Sequence, residues 1–172
     1  MKKITLILGL VLIFGSTIFS QKYAYVDTEY ILSNIPSYES AQEQLDRLSV
    51  EWQKEIEILF SEIDKMYKDF QIEKVLLTDE MIIKREDEII NKEKEAKELQ
   101  KKRFGKDGDL YKKRMELIKP LQDDIFNAVK EIAAEGNYAV IFDVSGGGLS
   151  MLYTDPKYDK SDEVLDKLGY KN

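Results

Sequence analysis

The sequence predicts an α+β subunit in which a small β-rich body carries one long antiparallel helical hairpin. Two observations favour the hairpin: apolar residues recur every three or four positions over two long stretches, and a short break separates those stretches. A third observation favours the body, because short apolar runs of strand length stand before the first stretch and after the second.

The first twenty residues (1–20) have the pattern of a secretory signal peptide. Lys2 and Lys3 precede an apolar run from Ile4 to Phe14, and small or polar residues follow that run. The run is short for a membrane span, which favours a cleaved leader over a retained anchor, and the predicted cut follows Ser20. We therefore expect the mature chain to be exported.

The composition argues against several classes of function. Removing the two lysines of the leader from the 26 basic residues leaves 24 against 33 acidic ones, and this net charge of −9 disfavours a nucleic-acid partner. The chain has no histidine and no cysteine, so the commonest general base, the commonest zinc ligand and thiol chemistry are missing. We expect a non-enzymatic protein without cofactor or metal, stabilised by packing or self-association rather than by disulfides.

A single apolar seam predicts the first long helix. The helix can start at Pro36 and Ser37 and should continue to about Leu77. At 1.5 Å per residue it would be about 60 Å long, so we expect the hairpin to project from the body. The members of the seam are Tyr38, Ala41, Leu45, Leu48, Trp52, Ile56, Leu59, Ile63, Met66 and Phe70.

A break in this pattern from Leu76 to Asp79 predicts the tip of the hairpin, near residues 75–80. Thr78 or Asp79 can cap the next helix, and Glu80 suits its first turn. The hairpin arm is assigned to residues 37–135.

The second helix of the arm is predicted to contain one interruption. Gly105 and Gly108 lower the helical tendency locally, and we expect a kink there rather than a domain boundary. The helix should end near Glu135, with Gly136 or Asn137 as a left-handed cap. Its apolar series consists of Met81, Ile82, Ile83, Ile89, Ile90, Ala96 and Leu99, and then of Leu110, Met115, Ile118, Leu121, Ile125, Val129 and Ile132.

The body is assigned to residues 21–36 and 136–172, with three predicted strands. One begins at Lys22, one runs from Tyr138 to Asp143 and should be buried on both faces, and one runs from Leu149 to Thr154. So small a core should require self-association. The side chains expected in the core or the oligomer interface are Tyr23, Tyr25, Val26, Tyr138, Val140, Phe142, Met151 and Tyr153.

Other features of the body have a structural interpretation. Asp27 and Asp143 each end a strand, where turn or cap roles are favoured over catalysis or metal binding. The glycines at 146–148 lack the residues of a phosphate-binding loop and predict a turn. A short helix should begin with Ser161 as its cap and end at Gly169.

Two blocks, YAYVDTEYILSNIPSYESAQEQLD near the start and IAAEGNYAVIFDVSGGGLSMLYTDPKYDKSDEVLDKLG near the end, are similar to the first and last blocks of a known family. The family is that of the Skp/OmpH periplasmic chaperones, and the resemblance extends from Gln21 to Leu168. It implies a homotrimer whose strand regions assemble into one body and whose three arms surround a cavity. It also implies that unfolded outer-membrane proteins are held there without ATP, in the periplasm, until they reach the assembly machinery.

The lower arm carries more apolar surface than one seam can cover. We expect half of the residues there to hold the hairpin together and the rest to contact clients transiently, since flexible apolar surfaces suit promiscuous binding. These client-binding candidates are Tyr67, Phe70, Leu76, Leu77, Met81, Ile82 and Ile83.

The acidic balance of the mature chain departs from the basic arms of the best-known family members, which puts charge attraction to clients or to lipopolysaccharide in doubt. The basic clusters at 101–106 and 112–114 are interpreted as solvated helix faces. Two other functions stay open: a structural coiled-coil protein of the envelope without chaperone activity, and an enzyme that uses carboxylates alone. Contact of the arm with a membrane is also left open.

Overall fold

The computed structural model describes residues 21–146 and 151–170, so the predicted leader lies outside the described residues. The fold is mostly helical, with one two-stranded parallel sheet. Its contacts divide it into two compact units: a helical unit, Leu32–Phe126, and a strand unit formed by the described residues up to Ile31 and from Asn127 onward. The elements in chain order are β1 (Lys22–Val26), α1 (Thr28–Ser33), α2 (Pro36–Glu73), α3 (Asp79–Phe104), α4 (Asp109–Gly136), β2 (Tyr138–Asp143) and α5 (Ser161–Lys167), with 3-10 turns at Lys74–Leu76 and Pro156–Tyr158.

The predicted seam of the first long helix is confirmed. α2 starts with Pro36 in its first turn, where the missing N–H costs nothing, and all ten seam residues are buried or half-buried. The seam packs against two helices in turn. Ala41 and Leu45 of α2 cluster with Ile118 of α4, whereas its lower part clusters with α3 through Ile63, Phe70, Ile89 and Ala96.

The predicted break at the end of the first helix is also confirmed. α2 ends at Glu73, and Leu77 has an extended backbone after the 3-10 turn. Thr78 then caps α3, because its Oγ1 accepts a hydrogen bond from the N–H of Met81 at 3.4 Å. Two acidic residues, Asp79 and Glu80, follow in the first turn, where their negative charges interact favourably with the helix dipole.

The kink predicted at Gly105 and Gly108 is a complete break between α3 and α4. Gly105 has an extended backbone with ψ 168°, which ends the helical hydrogen-bond pattern. A Cβ on Gly108 would lie 2.8 Å from the carbonyl oxygen of Lys102 and 2.9 Å from that of Arg103, so this close backbone approach requires glycine. The prediction of a kink within one helix was wrong because the chain leaves the helical conformation over residues 105–108.

The strand unit is organised around β1 and β2, which pair in parallel with Tyr25 opposite Phe142 and Val26 opposite Asp143. A parallel pair needs a long crossover, and here the crossover is the whole of the helical unit. The nearly completely buried apolar side chains of the strand unit come from its strands and its helices, and they are Ala24, Val26, Ile31, Ile132, Val164 and Leu165.

Two predictions about the strands were wrong. The residues of β2 are half-buried or exposed instead of buried on both faces. In the described residues β1 is the only strand beside β2. A continuous apolar run predicts that a strand is buried, but it does not show which residues pack on its two faces. The third strand is absent from its described part, Met151–Thr154, which has no neighbouring strand for ladder hydrogen bonds. Residues 149–150 lie outside the described residues.

Of three helix ends predicted in the strand unit, two agree with the structure and one differs. Asn137 follows α4 with φ 53°, which confirms the left-handed cap, and Gly169 follows α5 with φ 86°. Ser161 is the first residue of α5 rather than its cap, because its hydroxyl is committed elsewhere. This nearly buried Oγ accepts from the N–H of Asp27 at 2.9 Å and donates to Asp159 at 2.6 Å.

Replacing Ile89 with alanine should lower the free energy of unfolding by about 2–5 kcal/mol, because its buried side chain fills the contact between α2 and α3. The matched control is Ile90→Ala, the same change at a neighbour whose side chain is 60% exposed. That control should change stability by no more than about 0.5 kcal/mol. Urea unfolding of the chain without its leader, followed by circular dichroism, measures both, and equal losses would contradict the packing.

Candidate functional site

Two surfaces contain the residues that the sequence singles out, one in each unit. The first lies where α2 and α3 meet at their connection. Three of its seven candidate residues belong to the packing: Phe70 is buried in the cluster between the helices, and Leu77 and Ile82 pack half-buried against that cluster. The remaining four side chains are exposed, and they are Tyr67, Leu76, Met81 and Ile83.

Three further exposed apolar residues at this end of the helices were not among the client-binding candidates. They are Ile72, Val75 and Ile90, and Val75 is 86% exposed. They could have been found by asking which apolar residues do not fit the three-and-four spacing of the seam. We call the combined set the tip surface: Tyr67, Ile72, Val75, Leu76, Met81, Ile83 and Ile90.

Part of the tip surface borders a shallow groove of about 290 Å³ between α2 and α3. Tyr67 of α2 and Ile90 of α3 line its two sides, and the buried Phe70 contributes to it from below. Ile83 is seven residues before Ile90 and therefore projects from the same side of α3. Gln71, Lys74, Glu86 and Glu93 complete its lining, so the groove offers both apolar and charged contacts.

Some of the charges near the tip surface are paired with one another. Lys74 contacts Glu86 at 3.5 Å and lies 5.2 Å from the centre of the Phe70 ring. Arg85 contacts Glu73 at 3.6 Å and Glu88 at 3.2 Å. These ion pairs are about half exposed and contribute little to stability. Residues 67–90 carry four basic and seven acidic side chains, so the surroundings of the exposed apolar side chains are moderately acidic.

The second surface is a groove of about 690 Å³ in the strand unit. It brings together six of the eight residues predicted for the core or the oligomer interface: Tyr23, Tyr25, Tyr138, Phe142, Met151 and Tyr153. Of the other two, Val26 is buried in the core and Val140 is exposed without lining the groove. Leu152, which is 98% exposed, was not among the predicted interface residues. The predicted strand alternation had selected its two neighbours, Met151 and Tyr153.

The carboxylates that end the strands have the cap and turn roles predicted for them. Oδ1 of Asp27 accepts from the N–H groups of Glu29 and Tyr30, both at 3.0 Å, and so caps α1. Asp143 accepts from the Thr28 hydroxyl at 2.7 Å and from the Ser145 N–H and hydroxyl at 3.0 and 2.8 Å. Partial burial raises the pKa of Asp143, but the hydrogen bonds from Thr28 and Ser145 outweigh it and the net pKa is lowered.

Within residues 21–146 and 151–170, no three histidine, cysteine or acidic side chains are grouped to hold a metal ion. None of the helices described there is both long enough and apolar enough to cross a membrane.

Comparison with known proteins identifies relatives of the whole described fold. The profile of the family described as outer membrane protein (OmpH-like) matches residues 22–168. The fold is similar to the crystal structure of a proposed outer membrane chaperone (OmpH-like) from Caulobacter crescentus CB15, with a TM-score of 0.66 at 10% sequence identity. That similarity covers 90% of this chain and 86% of the other. No curated protein sequence matches significantly.

Replacing Asp143 with asparagine should remove a pH-dependent contribution to stability. Because the folded pKa of Asp143 is lowered, its contribution is fully present above the unfolded pKa of about 3.9 and is lost as the pH falls through the folded value. The difference in unfolding free energy between wild type and Asp143→Asn should therefore be constant above about pH 5 and shrink towards pH 3.

Urea unfolding at a series of pH values measures this difference. Asp46→Asn, which removes an exposed carboxylate from α2, is the control and should follow the wild-type curve. A difference that grows on acidification would contradict the assigned hydrogen bonds.

Proposed function

The chain belongs to the OmpH-like outer membrane protein family, and we propose that it is an ATP-independent holdase chaperone of the periplasm. At the level of the family, a periplasmic outer-membrane chaperone is supported. The finer proposal is that this chain binds unfolded outer-membrane proteins and prevents their aggregation, without a catalytic role. The observation that carries it is the tip surface.

The tip surface is available to a partner because the fold does not need it. The contact between α2 and α3 is already filled by Ile63, Phe70, Ile89 and Ala96, whereas Leu76 and Val75 are more than four-fifths exposed. Exposed apolar side chains concentrated in one place are typical of interaction sites. Segments of an unfolded outer-membrane barrel carry alternating apolar residues and can supply the complementary surface.

Self-association is the second part of the proposal. β2 has β1 as its sole neighbouring strand in the described residues, and a two-stranded sheet is marginal in water. The groove lined by tyrosines, together with the exposed Leu152 and Tyr153, supplies apolar surface for another copy of the chain. The resemblance to the family favours an oligomer of three copies of the chain. Several arms around one client would add weak contacts into a stable complex.

In this proposal the leader at residues 1–20 directs export and is removed. Residues 21–36 and 136–172 form the oligomerisation body, and residues 37–135 form the arm. The tip of the arm falls near residues 75–80, where the chain turns from α2 to α3.

A turbidity assay tests the chaperone proposal. A urea-unfolded outer-membrane barrel protein is diluted with and without the mature chain, and near-stoichiometric amounts should suppress aggregation without nucleotide. Replacing Val75, Leu76, Met81 and Ile83 together with serine should abolish most of the suppression, because it removes the exposed apolar surface while the contact between the helices stays intact.

The matched control replaces Val50 and Ile58, two exposed apolar residues of α2 away from the tip, with serine. This control should retain wild-type suppression. If the wild type fails to suppress aggregation at both low and moderate salt, the holdase proposal is wrong and a structural role in the envelope takes its place. If the tip variant is as active as the wild type, clients bind elsewhere.

Replacing Leu152 and Tyr153 with glutamate should convert the oligomer into monomers, because two charges would enter the proposed interface. Light scattering coupled to size exclusion measures the mass. Tyr111→Glu introduces a charge at an exposed aromatic of the helical unit and should leave the mass unchanged. An unchanged mass for the double variant would rule out this interface.

A further inference from the structure

Arg103 joins three helices at the break between α3 and α4. Its guanidinium lies 4.7 Å from the centre of the Trp52 ring on α2 and contacts Glu55 of the same helix at 3.2 Å. It also reaches across the break to Asp109, the first residue of α4, at 2.9 Å. The arginine therefore covers Trp52 while it holds the ends of α3 and α4 in place.

An aromatic pair lies beneath this arginine. Trp52 meets the ring of Phe104, the last residue of α3, edge to face with 6.4 Å between ring centres. Both side chains are half-buried. The two apolar clusters of the helical unit involve α2 up to Leu45 and from Leu59 onward, so Trp52 lies between them.

We propose that Trp52 and Phe104 form a second apolar contact for clients, which Arg103 covers when the break is closed and uncovers when the break opens. The inference rests on the proposed chaperone function and adds a site to it. The occupant is an unfolded segment that carries apolar and acidic side chains.

The break can open locally at a lower cost than the rest of the helical unit. α3 ends with the hydrogen bond from Gly105 N–H to the Lys101 carbonyl, and the turn that follows is closed by a bond from Gly108 N–H to the Gly105 carbonyl at 2.9 Å. Lys106 and Asp107 within this turn are exposed, as is typical of segments that open locally. The closed state is also incompletely bonded, because Nε of Arg103 is buried and has no hydrogen-bond partner in the described residues. An unsatisfied buried donor destabilises the state that contains it, so release of Arg103 to solvent is favoured more than for a fully paired arginine.

The charge around the break suits an acidic occupant. Lys101, Lys102 and Lys106 surround it and make no ion pair within residues 21–146 and 151–170. Lys112 adds to them, and Glu98, Asp107 and Asp109 line the same place, so the break has a small excess of positive charge in a chain whose overall balance is acidic. A client segment with carboxylates beside aromatic or aliphatic residues could pair with these lysines and pack on the uncovered rings.

Arg103→Gln should uncover Trp52 and loosen the break. Trp52 is the chain's single tryptophan, so its fluorescence reports on this site directly. We expect a red shift of its emission and about a twofold rise in acrylamide quenching, with amide hydrogen exchange across residues 101–112 about tenfold faster. Exchange across residues 82–96, beside the Ile89 cluster, should stay unchanged. Arg103→Lys should be intermediate, because lysine keeps the charge but lacks the planar fork and the stacking.

Arg47→Gln is the matched control, since it removes an arginine that pairs with Glu43 on the surface of α2. It should leave fluorescence and exchange at wild-type values. Faster exchange in both segments of Arg103→Gln would indicate general destabilisation and overturn the local cover, as would no change in either segment.

Client contact is tested with a urea-unfolded barrel protein whose tryptophans are replaced by phenylalanine, so that Trp52 remains the sole fluorophore of its kind. Binding should protect Trp52 from acrylamide, and more strongly in Arg103→Gln than in the wild type. If aggregation is suppressed but the quenching of Trp52 does not change, this second contact is wrong and the chaperone proposal stands. If the wild type does not suppress aggregation, the chaperone proposal itself fails.

Discussion

The narrowness of the seam on α2 is the constraint on which the rest of the helical unit depends. One apolar side chain per helical turn gives α2 a single narrow apolar face. This face packs against α4 near the start of α2 and against α3 near its end. Each fully buried aliphatic side chain contributes about 1.5–3 kcal/mol relative to exposure, so the two clusters are a main source of attraction between the helices. The large apolar residues of α2 that lie off the seam are left exposed, and they are Val50, Ile58, Phe60, Tyr67 and Ile72. The last two belong to the tip surface.

The strand unit obeys a different constraint, the parallel pairing of strands that are far apart in the sequence. Hydrogen bonds at the strand ends connect its parts: Asp143, the last residue of β2, accepts from Thr28 after β1, and Ser161 of α5 accepts from Asp27. These bonds fix where the strands end and where the short helices begin. They do not cover β2, whose residues remain half-buried or exposed.

Regular periodicity was readable from the sequence, and contacts between distant residues were not. The seam, the break before Thr78 and the left-handed Asn137 follow from local spacing or local backbone preference, so they were predicted correctly. The exposure of β2 and the irregular backbone of Met151–Thr154 depend on which strands stand beside them, which no local pattern records. Serine is a common N-cap residue, but the hydroxyl oxygen of Ser161 accepts a hydrogen bond from the N–H of Asp27, which is 134 residues away. For the same reason Arg103, read as one member of a solvated basic cluster, could not be paired in advance with Trp52 and Glu55.

The distribution of charge decides what kind of binding the arm can provide. An acidic chain cannot attract acidic clients over long distances, and in salt solution such attraction falls off within about 10 Å in any case. Near the tip Lys74 and Arg85 pair with neighbouring carboxylates and acidic residues outnumber basic ones, so exposed apolar side chains, rather than attraction to acidic clients, would provide the binding there. Apolar contacts are non-directional and roughly proportional to the area buried, so they accept many sequences without selecting one. An arm built in this way would hold a client by the number of its weak contacts and release it as those contacts are replaced by the client's own fold.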